Sequence, residues 1–217
     1  MISTKKTTFL KTDLNKLYWE DRYQNQQTGW DIGSVSTPLK EYIDQIDDKN
    51  IQILVPGAGY GHEVRYLAQQ GFKNVDVIDL SVSALTQLKK ALPDTTAYQL
   101  IEGDFFEHHT SYDLILEQTF FCALEPDKRP DYAAHAASLL KDSGKISGVL
   151  FNFPLTEKGP PFGGSSEEYK KLFSEYFNIK TLEACYNSIK PRLGNELFFI
   201  FEKSNQESYK LLFYLEG

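Results

Sequence analysis

Apolar positions in the first fifty residues recur at helical spacing. Leu14, Leu17 and Tyr18 lead a short helix predicted to run to about Tyr23, with Thr12 or Asp13 as its cap. The first 12 residues carry no such pattern and are expected to be loosely ordered. A turn-rich stretch over 24–35 follows, containing Gly29, Trp30, Asp31 and Gly33. Ser36 or Thr37 then caps a better-marked helix, with Pro38 in its first turn and Leu39, Tyr42, Ile43 and Ile46 at i, i+3, i+4, i+7.

From Ile51 the period changes to short apolar runs separated by helices. Strands are predicted over 51–55, 75–78, 97–101, 113–116 and 145–151. Helices are predicted over 60–70, 82–92 and 127–141, stopped by Gly71, Pro93 and Gly144. This β-α alternation requires a parallel sheet covered on both faces. Near the end, Ser165-x-x-Glu168 reads as a capping box for a helix carrying Tyr169, Leu172 and Phe173. Two runs, 177–189 and 196–202, then follow with only Pro191- and Gly194-containing turn residues between them, which reads as an antiparallel hairpin. The expected fold is α/β, a doubly wound Rossmann-like, mostly parallel seven-stranded sheet with a C-terminal antiparallel hairpin and an N-terminal helical cap. A single domain is expected over 1–217, with 1–48 as cap region and 49–217 as core.

Length supports one domain, since 217 residues are close to typical domain size. The formal net charge is −7 and the sequence pI about 5.2, so the basic footprint of a nucleic-acid binder is absent. Mean hydropathy is −0.41, and no apolar run approaches the ~20 residues of a membrane span. The polar N-terminus lacks the apolar stretch of a signal peptide, which makes the cytosol the expected compartment. Cys122 and Cys185 are too few for a disulfide framework or zinc knuckle and read as small buried residues.

The chemistry concentrates after the first strand, in Val55-Pro56-Gly57-Ala58-Gly59-Tyr60-Gly61. Glycines there permit φ > 0 and close approach of a ligand to the backbone, and the helix that follows offers unpaired N–H groups. A dinucleotide fingerprint would need glycine where His62 stands, so an NAD-dependent dehydrogenase is disfavoured. Asp79 ends the second strand, 20 residues beyond Gly59, where a carboxylate can accept two ribose hydroxyls; Ser81 competes for the alternative task of capping the next helix. Asp104-Phe105-Phe106 after the third strand can pair a carboxylate with an adenine amino group beside an aromatic ring. Leu116-Glu117-Gln118-Thr119-Phe120-Phe121-Cys122 leaves the sheet at the same edge and is expected to face the same crevice.

Taken together these residues resemble the class I S-adenosylmethionine-dependent methyltransferases, and more narrowly the thiopurine methyltransferase superfamily with its halide and thiol methyltransferase branch. The resemblance is carried by Tyr18-Trp19-Glu20-Asp21-Arg22-Tyr23, Thr28-Gly29-Trp30-Asp31, the glycine loop, Gly103-Asp104-Phe105-Phe106, Thr119-Phe120-Phe121-Cys122-Ala123-Leu124-Glu125-Pro126 and Gly159-Pro160-Pro161-Phe162. Val55-Pro56 stands where most class I members carry an acid, a substitution similar to that of this branch. The resemblance implies S-adenosyl-L-methionine as cofactor. Trp19 and Trp30 would close over its methionine end, which Gly57 and Gly59 would admit to the first strand; Asp79 would hold the ribose, and Asp104 with Phe105 the adenine. Gln118 would contact cofactor or substrate; arginine is common there in thiopurine methyltransferases, so its absence points away from a thiopurine-like acceptor. Phe120, Phe121, Cys122 and Phe162 would line the acceptor pocket. Without the resemblance, Trp19 reads as a core residue.

In-line transfer from a sulfonium is chiefly a matter of orientation. A thiolate or halide needs no base at the moment of attack, whereas a neutral hydroxyl or amine does. The acceptor region shows no His–Asp pairing and no metal cluster: His108 and His109 read as solvated, His62 as a helix-start residue and His135 as structural. The expected activity is methyl transfer to a small soft nucleophile, a thiol or halide, with no catalytic residue assigned. Methylation of an oxygen or nitrogen acceptor, or a catalytically silent cofactor-binding module, are the alternatives. The expected partner is a small-molecule methyl acceptor, with no nucleic acid and no membrane; oligomeric state is left open, with a monomer favoured.

Overall fold

The computed structural model describes residues 13–92 and 96–204. Seven strands form one sheet in the order β3-β2-β1-β4-β5-β7-β6. They are β1 (Gln52–Pro56), β2 (Asn74–Asp79), β3 (Tyr98–Glu102), β4 (Tyr112–Gln118), β5 (Leu140–Phe151), β6 (Phe177–Ala184) and β7 (Glu196–Lys203). β1 to β5 run parallel to one another, while β7 pairs antiparallel with both β5 and β6. The helices are α1 (Lys16–Gln24), α2 (Thr37–Asp44), α3 (His62–Gln69), α4 (Val82–Ala91), α5 (Arg129–Ser138) and α6 (Ser166–Phe173).

Strand alternation divides the core. Ile53 and Val55 of β1, with Leu114 and Leu116 of β4, face Leu39 and Ile43 of α2, Val64 and Leu67 of α3 and Leu85 and Leu88 of α4. Leu54 and Ile115 point to the opposite face, onto Tyr132 and Ala136 of α5 and Tyr169 and Phe173 of α6. Burying each such aliphatic side chain contributes roughly 1.5–3 kcal/mol. The order reverses between β1 and β4, which opens a crevice at their carboxyl ends.

Local details differ from the sequence expectation for physical reasons. Asn15 caps α1 by accepting the Tyr18 amide at 3.1 Å, in place of Asp13; Thr12, the first 12 residues and Pro93 lie outside the described residues. The helix expected over 127–141 is α5 alone, preceded by a 3-10 turn at Pro126–Lys128, and the chain is already extended from Leu140. Gly144 therefore lies inside β5 and does not end a helix. It lies within the register shift between the Tyr112–Leu140 and Leu114–Lys145 pairs, and a Cβ there would stand 2.9 Å from the Lys141 carbonyl. Half of the expected capping box forms: Ser165 Oγ accepts the Glu168 amide at 3.2 Å, while the Glu168 carboxylate turns to Arg129 instead. β6 stops at Ala184, so the hairpin connection spans 185–195 and is longer than 190–195.

Candidate active site

A cavity of about 1480 Å³ opens at the carboxyl ends of β1, β2 and β4. Its floor is the glycine loop. Gly57, Gly59 and Gly61 have φ of 58°, 56° and 66°, the left-handed region that glycine enters without strain. A Cβ on Gly57 would lie 2.3 Å from the Phe120 ring, so glycine is required there by the aromatic wall as well as by any ligand. On Gly59 a Cβ would stand 3.1 Å from Tyr23 Oη.

Asp79 is buried at the end of β2 and faces this cavity. Its Oδ1 accepts the Ser81 amide at 2.8 Å and its Oδ2 the Gly59 amide at 3.3 Å. Burial pushes its carboxyl up to about 6 against the pull of those amides. Ser81 takes the capping task, accepting the Ala84 amide through Oγ at 3.1 Å, which leaves Asp79 free of it. Asp104 accepts the Phe106 amide at 2.9 Å and so starts the 3-10 turn Phe105–Glu107, with Phe105 and Phe106 behind it.

An aromatic roof covers the opposite side. Trp19 of α1 meets Trp30 edge to face at 5.6 Å; Tyr23 meets Trp30 at 5.8 Å and Tyr60 at 5.7 Å. Asp31 Oδ1 pairs with His62 Nε2 at 2.7 Å, while Arg65 engages His62 Nδ1. The structure thus forms a His–Asp pair that sequence reading did not find. Both ring nitrogens of His62 have hydrogen-bond partners. His135 donates from Nε2 to the Phe105 carbonyl at 2.8 Å. His108 is not solvated: it is part-buried against Tyr112, with Nε2 2.6 Å from the phenol oxygen, and burial lowers its pKa.

The third wall follows β4. Glu117 is fully buried; its Oε1 accepts the Phe120 and Phe121 amides at 2.7 and 2.8 Å, and burial raises its carboxyl to about 7. That bond pair drives the chain into the 3-10 turn Phe121–Ala123, with Thr119 at φ 60°. Gln118 Oε1 accepts Ser36 Oγ at 3.1 Å. Cys122 donates through Sγ to the Thr119 carbonyl at 3.3 Å, and burial pushes its thiol far above its ordinary range. Arg129, 2 % exposed, pairs with Glu168 at 2.7 Å and donates to the Gly163 carbonyl at 2.9 Å, tying the 159–164 loop to this wall. Arg192 reaches in from the β6–β7 connection, donating to the Trp30 carbonyl at 2.7 Å with its guanidinium over the Phe151 ring.

Trp19, Trp30, Gly57, Gly59, Asp79, Asp104, Phe105, Gln118, Phe120 and Cys122 all line the cavity. Phe121 and Phe162 are buried behind it, Phe121 against Tyr132 and Tyr169, and Phe162 with its amide on the Cys122 carbonyl at 2.7 Å. Sequence reasoning missed Arg192 and Arg129, and it placed Glu117 at the crevice edge without a role. Glu117 had a signal, an acid closing the apolar run Leu114-Ile115-Leu116. The arginines had none, because the contacts that bring them to this wall are remote in sequence: Arg129 meets the Phe162 carbonyl 33 residues on, and Arg192 the Trp30 carbonyl 162 residues back. Among the described residues no group of His, Cys, Asp and Glu is arranged to hold a metal ion, and no helix is long and apolar enough to cross a membrane.

The family model for thiopurine S-methyltransferase matches residues 14–208. A probable thiol methyltransferase 2 of Arabidopsis thaliana is 31 % identical over 195 residues, covering 86 % of this chain and 85 % of that protein. A thiocyanate methyltransferase 1 of the same plant is 28 % identical over 206 residues, covering 91 % and 89 %. Among solved structures, the 1,6-didemethyltoxoflavin-N1-methyltransferase of Burkholderia thailandensis, with bound S-adenosylhomocysteine, superposes with a TM-score of 0.69 at 16 % identity, covering 88 % of this chain and 87 % of that one. At that identity the likeness is one of fold.

Proposed function

The chain belongs to the thiopurine S-methyltransferase family and is an S-adenosylmethionine-dependent methyltransferase, and we propose that it methylates a small soft anion, a thiolate or a chemically similar nucleophile. When bound, S-adenosylmethionine supplies a methyl group activated by the sulfonium. The wall fits that molecule. Asp79 retains carboxylate lone pairs beyond the two amides it accepts, which suits ribose hydroxyls. The left-handed glycines keep the floor open, and the Trp19–Trp30 pair covers the end beside them. Asp104, Phe105 and Gln118 complete the cofactor side of this reading, and Phe120 and Cys122 the acceptor side.

The observation that carries the acceptor class is the pairing of charge with a missing base. Arg192, 12 % exposed and paired with the buried Glu196 at 3.3 Å, brings a guanidinium to the cavity wall over the Phe151 ring, where its remaining N–H donors suit a weakly hydrated anion. His62, the base that geometry would nominate, has both nitrogens engaged. An anionic sulfur needs no proton removed at the moment of attack, so these residues have only to orient it in line and exclude water. Cys122 carries no methyl in this scheme, since its thiol is held neutral by burial.

The test is release of S-adenosylhomocysteine with hydrosulfide, thiophenol, thiocyanate and iodide against a phenol and an amine. Turnover is expected with the sulfur nucleophiles, and Arg192→Met is expected to raise their KM about tenfold, the weight of one charged hydrogen bond. Turnover with the phenol or amine alone would overturn the proposal, as would inactivity toward every acceptor.

A further inference from the structure

α1 lies across the cavity with Lys16, Tyr18, Trp19, Arg22 and Tyr23 on its wall. Its sequence gives it no apolar stripe with which to stay there. Leu17 is 77 % exposed and Tyr23 is the buried residue of the helix. A nine-residue helix of this kind is marginal by itself and must be held by tertiary contacts. Trp19 and Tyr23 supply aromatic contacts to Trp30 and Tyr60, and the contacts to α4 are polar. Glu20 reaches from the middle of α1 to the first turn of α4: Oε2 accepts Ser81 Oγ at 2.7 Å and the Ser83 amide at 3.1 Å, and Oε1 accepts Ser83 Oγ at 2.5 Å. Lys16 adds an exposed ion pair with Glu102 at the end of β3.

A carboxylate at a helix N-terminus interacts favourably with the helix dipole. Burial pushes the Glu20 carboxyl up, but the hydrogen bonds from Ser83 and Ser81 outweigh it and hold the group down at about 2. Ser81 is shared. Its hydroxyl meets Glu20 while its amide donates to Asp79 Oδ1 at 2.8 Å, so one residue connects the roof helix to the carboxylate that faces the ribose position.

We infer that Glu20 is a positioning residue for the methyl-transfer reaction: it latches α1 onto α4, keeps Trp19 over the occupied cavity, and thereby sets how fast the nucleoside product leaves. The inference rests on the reading of the cavity as the S-adenosylmethionine site. Glu20 itself touches α4 and not the ligand position, and closure by this latch is linked through Ser81 to the state of Asp79.

Both tryptophans of the chain, Trp19 and Trp30, stand in this roof, so intrinsic fluorescence reports on it directly. Stopped-flow fluorescence with S-adenosylhomocysteine, binding and then displacement by excess unlabelled cofactor analogue, separates the two rate constants. Glu20→Ala is expected to raise the dissociation rate about tenfold or more, with the association rate within about threefold of the parent. Ser83→Ala, which removes one hydroxyl donor, is expected to give a smaller rise, and the double variant is expected to be no faster than Glu20→Ala alone, because both act on one latch. A dissociation rate unchanged in Glu20→Ala and in Ser83→Ala would overturn the inference, as would strictly additive effects or a lowered melting temperature with no kinetic change. Failure of the parent protein to bind S-adenosylhomocysteine would instead overturn the cavity assignment on which the inference rests.

Discussion

Burial raises the carboxyl of Asp79 to about 6, two amides pull it the other way, and a ribose would add two hydroxyl donors to the same oxygens. Hydroxyl donation favours the ionised form, so ligand binding must expel the proton that Asp79 carries at low pH. Calorimetric titration with S-adenosylhomocysteine is therefore expected to give constant affinity above about pH 7 and progressive weakening below pH 6, at most about tenfold per unit. Asp79→Asn is expected to abolish that dependence and to weaken binding about ten- to a hundredfold at neutral pH, the loss of charge-assisted hydrogen bonds. An affinity that ignores pH between 5 and 8 in the parent protein would show that Asp79 does not meet the ribose. At this scale the glycine loop and Asp79 were legible in sequence because each sits a fixed few residues from a strand end. The phasing of Phe120, Phe121 and Cys122 was not. In a 3-10 turn successive side chains leave in different directions, so Phe120 and Cys122 reach the cavity while Phe121 enters the core, and no periodic pattern of three residues announces which will do so.

The turn after β4 is built on a buried charge. Glu117 Oε1 holds two amides, but its Oε2 has no hydrogen-bond partner among the described residues. Its carboxyl lies at about 7 in the folded chain against an ordinary value of 4.5, and a group raised on folding contributes stability that is complete below the lower value and lost as pH rises through the upper one. The cost at pH 8 is about 3 kcal/mol. Glu117→Gln keeps an oxygen for both amides and removes the charge, so its melting temperature is expected to exceed that of the parent at pH 8, with the two converging toward pH 4.5. A parent protein more stable than the variant at pH 8 would mean that the charge is compensated by a contact outside this account. The element also shows what sequence hides. An acid at the end of an apolar strand is visible as an anomaly, but its partners here are backbone amides, which every residue has and no composition reveals.

At the scale of the whole molecule, local alternation was enough to foresee the doubly wound sheet and its terminal hairpin, because each strand and helix buries a face set by its own period. The resemblance led us to expect Trp19 and Trp30 to cover the site, but the contacts that hold this closure were not foreseen. They are made where segments remote in sequence meet: Arg192 of the hairpin connection donates to Trp30, Glu20 of α1 docks on α4, and Arg129 of α5 grips the 159–164 loop. The topology places all of these around the crevice where strand order reverses between β1 and β4, so the variable loops of both halves converge on one volume. That convergence is the central claim: a nucleoside with a sulfonium enters between the glycine loop and the aromatic roof. A crystal structure of the chain with S-adenosylhomocysteine tests it most directly. The account predicts ribose hydroxyls on Asp79, the base beside Asp104 and Phe105, and the amino-acid end beneath Trp19 and Trp30. Density for the ligand anywhere else, or a ribose that makes no contact with Asp79, would contradict it.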